Sequence, residues 1–215
     1  KYKKKHPLLY QQVPVKVFAE QDRSVLGNIQ IDLVEHCGAS ASGQFVNTLN
    51  CTDISSGWTE EEAVMGKSQE NVSAGINNCR KRFPFPWREI HSDGGTEFIN
   101  NHLYRYTVGT ELLFSRSRPY KKNDNCLVEQ KNNTHVRRLV GYLRYDTQIE
   151  LDLLNDIYRN EQGLYKNFFS PVIKLVSKER VGGKIHRIYD KAKTPFARTI
   201  ESPGVSEEKK RELRN

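Results

Sequence analysis

The chain has 215 residues, 36% of them hydrophobic, which is enough for one substantial core with a small appendage. It carries 34 lysines and arginines against 26 aspartates and glutamates, so the formal net charge is +8. A positive charge of this size favours a polyanionic partner, usually nucleic acid. No apolar run approaches the roughly 18 to 20 residues that cross a bilayer, and no signal peptide is visible, so we expect no membrane partner.

The four cysteines are widely separated and include no C-x-x-C pair; they are Cys37, Cys51, Cys79 and Cys126. This spacing supports neither a zinc site nor a disulfide framework. We therefore expect a reducing, cytoplasm-like compartment.

The first 24 residues begin with Lys1-Tyr2-Lys3-Lys4-Lys5-His6 and show little periodicity. They are predicted to be a basic arm or linker, with a disordered end as an equal alternative. From Gly27 onward, branched apolar residues and alternation predict three strands, over 28–34, 44–52 and 58–64. The short turns between them favour an antiparallel meander.

Further along the chain, the pattern alternates between helices and strands. Ser68 can cap a helix over 68–82, followed by a strand over 87–92, a helix over 96–108 and a strand over 111–115. Two helices are expected next, over 125–144 and 148–166. A meander followed by parallel crossovers predicts an α/β domain, a mixed five-stranded sheet with helices on both faces. This is the element order of the RNase H-like fold.

Residues 167–215 differ in composition, because Pro171, the Gly182-Gly183 pair, Pro195 and Pro203 interrupt any long element. We expect a C-terminal extension, with small strands, or a linker to a further domain. The predicted division is therefore 1–24, 25–166 and 167–215.

Three carboxylates stand at chemically useful places in these elements. Asp32 interrupts the apolar strand Ile31-Asp32-Leu33-Val34, and a buried aspartate is costly unless it is paired or bound to a cation. Asp93 follows a strand and precedes two glycines, at the strand end where ligands gather in α/β sheets. Glu129 lies near the start of the long helix. Each alone has an ordinary explanation: an edge-strand aspartate, a turn, or a first-turn glutamate.

Together, these acids resemble the D,D-35-E signature of retroviral integrases and insertion-sequence transposases. Thirty-five residues separate Asp93 from Glu129. The stretch His91-Ser92-Asp93-Gly94-Gly95-Thr96-Glu97-Phe98 resembles the family motif S-D-x-G-x-E-F. Arg118-Pro119-Tyr120, followed by Asn123-Asp124-Asn125-x-x-Val128-Glu129-x-x-Asn132, resembles the family's loop and catalytic helix. The resemblance covers roughly residues 25 to 145, which makes 25–166 an expected integrase catalytic core.

The resemblance implies a DDE transposase or integrase that hydrolyses phosphodiesters and transfers DNA strands. Asp32, Asp93 and Glu129 would be its catalytic residues and would hold two Mg²⁺ or Mn²⁺ ions, for which carboxylates are suitable ligands. The implied partners are double-stranded DNA, as transposon ends and target, and further copies of the chain. The expected location is a bacterial cytoplasm, in association with the nucleoid.

Basic residues are concentrated around Glu129. Residues 116–145 contain eight lysines and arginines and two acids, a net charge of +6. We expect phosphate contacts from this region, which would be salt-dependent and largely independent of base sequence. The candidates are Arg116, Arg118, Lys121, Lys122, Lys131 and Arg137. A solvated basic loop is the alternative.

Two other functions remain open at this point. One is a ribonuclease H-type nuclease, for which Glu70 is the available fourth carboxylate. The other is a DNA-binding protein without catalysis. The retroviral lysines after the glutamate are absent at the expected offsets, where Asn133, Val136 and Arg137 stand instead. The sequence does not identify the DNA ends, the target or the oligomeric state.

Overall fold

The computed structural model describes residues 7–215, apart from the side chains of Pro7 and Lys122, so the basic stretch Lys1–His6 lies outside the described residues. Five strands form one mixed sheet in the order β3-β2-β1-β4-β5. Their bounds are β1 (Asn28–Glu35), β2 (Val46–Asp53), β3 (Thr59–Met65), β4 (Glu89–Ser92) and β5 (Leu113–Arg116). Strands β1, β2 and β3 are antiparallel neighbours, whereas β4 pairs parallel to β1 and β5 to β4. The predicted mixed sheet is confirmed.

The helices cover both faces of this sheet. Helices α2 (Gln69–Arg82) and α3 (Asn101–Gly109) lie on one face. The other face is covered by α4 (Cys126–Lys131), which continues as a π-helical segment (Asn132–Arg137) and α5 (Arg138–Val140), and by α6 (Gln148–Ile157). Two further π-helical segments, Tyr158–Gln162 and Tyr165–Phe169, extend α6. The continuous stretch from Cys126 to Val140 is called the Glu129 helix below.

Alternation along β1 divides its side chains between the two faces. Ile29 and Ile31 are fully buried in the main core beside α2. Gln30 and Asp32 point the other way, where both bond to the Glu129 helix. Near the centre of the sheet, β1 therefore presents apolar side chains to α2 and polar side chains to the Glu129 helix.

Helix ends follow local capping chemistry. Ser68 caps α2 as predicted, since its hydroxyl accepts from the backbone N–H of Asn71 at 3.2 Å. Asn100 caps α3 in the same way, so this helix begins five residues later than the predicted 96. The Glu129 helix ends at Val140 rather than at 144, because Gly141 takes a left-handed φ of 70°.

Both terminal segments lie against the sheet domain. In the N-terminal segment, Leu9 of α1 (Pro7–Gln12) is buried in the main core, and so is Val13, just after the helix. At the other end, α7 (Pro195–Glu201) and α8 (Glu207–Arg214) follow a separate two-stranded sheet, β6 (Leu175–Val181) with β7 (Lys184–Tyr189). Val205 is buried in the same core. The proposed domain division stays a prediction, but these contacts attach both segments to the sheet.

The described part of the chain, residues 7–215, contains no helix with the length and apolarity to cross a membrane.

Candidate active site

Asp32 is held between strand β1 and the Glu129 helix. Its Oδ1 accepts a hydrogen bond from the backbone N–H of Leu33 at 2.9 Å, and its Oδ2 accepts one from Nδ2 of Asn132 at 2.8 Å. The side chain is half-buried in the middle of the central strand. Sequence analysis predicted the strand position, but it assigned no role to Asn132.

The pKa of Asp32 is raised to about 7, mainly by burial and also by the negative charges of Asp93 and Glu129, while the two hydrogen bonds act to lower it. An ionised Asp32 is therefore unfavourable here without a compensating positive charge. The same effect shows that the three acids share one electrostatic neighbourhood, although they come from a strand, a loop and a helix. This proximity is the central feature of the site.

Asp93 occupies the loop after β4 and is exposed. Its Oδ1 accepts from the backbone N–H of Gly95 at 2.9 Å, so the loop turns tightly around the carboxylate. The hydroxyl of Tyr10 donates to the carbonyl of Gly94. Helix α1 thus contacts the Asp93 loop, an arrangement that the featureless sequence of residues 7–24 did not indicate.

Glu129 is half-buried near the start of its helix, and β1 determines where that helix begins. The Oε1 of Gln30 accepts from the backbone N–H groups of Leu127 at 3.0 Å and Val128 at 3.1 Å, satisfying two donors that a helix start leaves free. The side chain of Asn125 donates to the carbonyl of Ile31 at 3.2 Å. These contacts place Glu129 beside Asp32.

The oxygen atoms around Asp32 are suitable ligands for a hard divalent cation. Carboxylate and amide oxygens are the preferred ligands of Mg²⁺ and Mn²⁺. The Oδ1 of Asn132 is buried and has no hydrogen-bond partner, so an unused acceptor lies next to Asp32. Within residues 7–215, however, no three His, Cys, Asp or Glu side chains converge as a ready metal cluster. The acids are neighbours whose side chains would have to close around an ion.

Two predicted DNA-binding arginines make internal contacts instead of remaining free. Arg116 donates to the carbonyls of Val13 and Tyr10, both at 3.1 Å. Arg137 donates to the carbonyl of Glu35 at 2.8 Å. Arg116 therefore attaches the N-terminal segment to β5, and Arg137 attaches the Glu129 helix to the end of β1.

The other predicted DNA contacts are placed differently. Arg118 is exposed but forms a bidentate pair with Asp124, at 2.8 and 2.9 Å, which holds the pKa of that carboxyl below its usual value. Lys121 is exposed on the loop, and the side chain of Lys122 lies outside the described residues. Lys131 is only 7% exposed, and burial lowers its pKa to about 8. A phosphate contact from Lys131 does not fit this placement.

A buried polar row crosses the sheet beneath the Glu129 helix. Asp32 pairs in register with Asn50 on β2, and Asn50 pairs with Glu61 on β3. Burial raises the pKa of Glu61 to about 7, while the nearby Lys131 lowers it. Sequence analysis missed this row. Its available signal was the run of three glutamates, 60 to 62, inside a predicted strand.

Comparisons with known proteins find similarity both in sequence and in structure. No family model matches the chain. The uncharacterized protein y4rM of Sinorhizobium fredii is 39% identical over 189 residues, which cover 86% of this chain and 53% of that protein. The chain thus spans about half the length of this relative, whose name assigns no activity.

The solved structures that match include a retroviral integrase core and an intasome. The catalytic core domain of BIV integrase matches with a TM-score of 0.52 and 15% identity, over 80% of this chain and 91% of that one. A simian T-cell lymphotropic virus intasome, solved with the PP2A regulatory subunit B56 gamma, matches with a TM-score of 0.55 and 10% identity. That match covers 74% of this chain and 54% of the other. The chain has the RNase H-like fold of integrase catalytic cores, as the element order predicted.

Proposed function

We propose that this chain is the catalytic core of a DDE-type transposase or integrase, a polynucleotidyl transferase encoded by a bacterial insertion sequence. The observation that carries the proposal is that Asp32 on the central strand is bonded to Asn132 of the Glu129 helix and lies within electrostatic reach of both Asp93 and Glu129. The RNase H-like fold and the 35-residue spacing between Asp93 and Glu129 also support the proposal. Similarity to integrase cores at 10–15% identity supports the fold, and the acids supply the chemical argument.

In this proposal, Asp32, Asp93 and Glu129 would together hold two Mg²⁺ or Mn²⁺ ions. When bound, the ions would activate the attacking hydroxyl and neutralise the leaving oxygen at phosphorus. The hydrogen bonds from the Leu33 backbone to Oδ1 and from Asn132 to Oδ2 orient the carboxylate of Asp32. Because Asp93 is exposed, its carboxylate stays open to an approaching phosphate.

The substrate is double-stranded DNA. Water would first cleave a phosphodiester at the element end, releasing a 3′-hydroxyl. That hydroxyl would then attack a target phosphodiester, forming one P–O bond while another breaks; the attacking hydroxyl gives up its proton to solvent, and the leaving oxygen takes one up. No covalent protein–DNA intermediate is required. A homo-oligomer on DNA and association with the nucleoid are further predictions of the same proposal.

The decisive experiment is strand transfer by the full-length protein on the terminal sequences of its own element, with Mg²⁺ or Mn²⁺. Asp93→Asn should retain DNA binding while cleavage and joining fall to background. Asp156→Asn, an exposed aspartate on α6, is the matched control and should behave as wild type. Full strand transfer by Asp93→Asn would refute the proposal.

The nuclease alternative receives no support from the position of Glu70. This residue lies in the first turn of α2, on the sheet face away from Asp32, and its nearest charged influence is His102. The same assay with an RNA–DNA hybrid distinguishes the two activities, since a ribonuclease H-type enzyme would cut the hybrid and leave duplex ends intact. Binding without cleavage of either substrate would indicate a catalytically inactive DNA-binding protein.

A further inference from the structure

Strands β6 and β7 form a two-stranded ribbon that is separate from the main sheet. The register pairs Lys178 with Arg187 and Arg180 with Ile185. A two-residue turn, Gly182-Gly183, joins the strands, and Gly182 takes a left-handed φ of 59°. Apart from Ser177, every residue of both strands is exposed. The ribbon therefore offers both of its faces to a partner.

The two faces of the ribbon differ in charge. Side chains alternate along a strand and match across a cross-strand pair, so Lys178 and Arg180 share a face with Ile185 and Arg187. The acid of these two strands, Glu179, pairs with His186 and lies on the opposite face. One face thus carries three cations and no acid; it is called the basic face below.

The basic-face cations are not used inside the molecule. Across residues 7–215, neither Lys178 nor Arg180 nor Arg187 forms an ion pair or a hydrogen bond through its side chain. Arg116 and Arg137, by contrast, are occupied by backbone carbonyls. The cations of the basic face are therefore more accessible to an external anion than Arg116 and Arg137 are.

The base of the ribbon is firmly attached. Val172 and Lys193 exchange two backbone hydrogen bonds, at 2.9 and 3.2 Å. Asp190 accepts from the backbone N–H of Lys174 at 2.7 Å and forms an ion pair with Arg198 at 2.6 Å. An isolated two-stranded hairpin is marginal in water, so this anchoring holds the ribbon in a defined position.

We propose that the ribbon is a second DNA-binding element, whose basic face contacts the phosphates of a duplex groove. A major groove about 12 Å wide admits a two-stranded ribbon. Seven residues extend about 20 Å, enough to follow several phosphates. Arginine suits the bidentate recognition of phosphate. The nature of the polyanion, duplex DNA, rests on the proposed function; the charge separation between the faces does not.

This contact is distinct from the one that the acids would make. Val172, at the base of the ribbon, lies against Gly57 in the turn between β2 and β3. That turn stands at the end of the sheet where β1 begins, because Asp53 pairs with Ile29. Asp32 lies further along β1. The base of the ribbon therefore lies at a different position along β1 from Asp32.

The test is the salt dependence of binding to a 30-base-pair duplex, measured by fluorescence anisotropy in EDTA with the full chain. The ribbon variant combines Lys178→Ala, Arg180→Ala and Arg187→Ala. The matched control removes three exposed cations scattered over α2, α3 and α8, at Lys81, Arg105 and Arg211. Three lost phosphate contacts should reduce the slope of log K against log salt by about 2.7.

The control should change that slope much less, and urea unfolding should be unchanged in the ribbon variant because its mutated side chains are exposed. Equal slopes in the two variants would overturn the inference. So would loss of self-association in the ribbon variant with an unchanged slope, because a second copy would then pair along the strand edges.

The outcomes also separate this inference from the proposed function. If the slope is unchanged in the ribbon variant and Asp93→Asn is inactive, the proposed function is supported and DNA binding by the ribbon is rejected. If the slope is reduced in the ribbon variant and Asp93→Asn retains full strand transfer, DNA binding by the ribbon is supported and the proposed function is rejected.

Discussion

Replacing Asp32 with asparagine should stabilise the protein at alkaline pH in the absence of divalent ions. The substitution Asp32→Asn removes a buried negative charge and keeps the shape of the side chain. The pKa of Asp32 is raised in the folded state, so the folded protein holds its proton more tightly than the unfolded chain between about pH 4 and pH 7. The contribution of Asp32 to the free energy of unfolding is therefore lost as the pH rises from about 4 to 7.

The size of the effect follows from the pKa. A folded-state value of about 7 lies roughly three pH units above the ordinary 3.8. Each pH unit corresponds to 1.36 kcal/mol, so an ionised Asp32 costs about 4 kcal/mol at most. Relaxation of the site would reduce this figure. We expect the variant to gain about 1 to 4 kcal/mol at pH 8.

Urea unfolding in EDTA at several pH values measures the difference between variant and wild type. This difference should shrink below pH 7 and vanish below about pH 3, where Asp32 is protonated in both states. Adding Mg²⁺ should stabilise the wild type by about 2.7 kcal/mol at a hundredfold excess over its dissociation constant, and the variant by less. Asp156→Asn serves as the control for removal of an exposed acid.

Two results would refute this reasoning. One is a variant that is no more stable than wild type at pH 8. The other is a stability difference of equal size at pH 5 and pH 8, which would show that charge is not its cause.

Two further predictions concern the support of the site. Gln30→Leu leaves two backbone donors of the Glu129 helix unsatisfied, so we expect a loss of about 2 to 4 kcal/mol in urea unfolding, whereas exposed Gln44→Leu should be neutral. Equal stability of these variants would contradict the capping role. Burial lowers the pKa of His91 to about 4, below its unfolded value, so its stability contribution is lost as the pH falls from 6.5. Wild type should lose about 3 kcal/mol relative to His91→Gln between pH 7 and pH 4, and parallel pH profiles would contradict this.

Local signals in the sequence were sufficient for the elements and for the three acids. Branched apolar residues along 28–34 identified β1, and Ser68 marked the start of α2, because both signals depend on neighbouring residues. Asp32, Asp93 and Glu129 were found through a motif and its spacing. The structure places them in one electrostatic neighbourhood, and their role as metal ligands stays a prediction.

The tertiary structure decided which polar side chains are available for binding. Lys131 is basic and helical in the sequence, but it is buried near Glu61, a residue 70 positions earlier on an edge strand. Arg116 is likewise occupied by the N-terminal segment.

The sequence likewise showed no sign of the roles of Gln30 and Asn132, because those roles depend on how the Glu129 helix lies across β1. Periodicity shows which face a side chain takes and carries no information about what packs against that face. The three acids could thus be named from sequence, whereas the contacts that hold them, and which cations remain unpaired, required the fold.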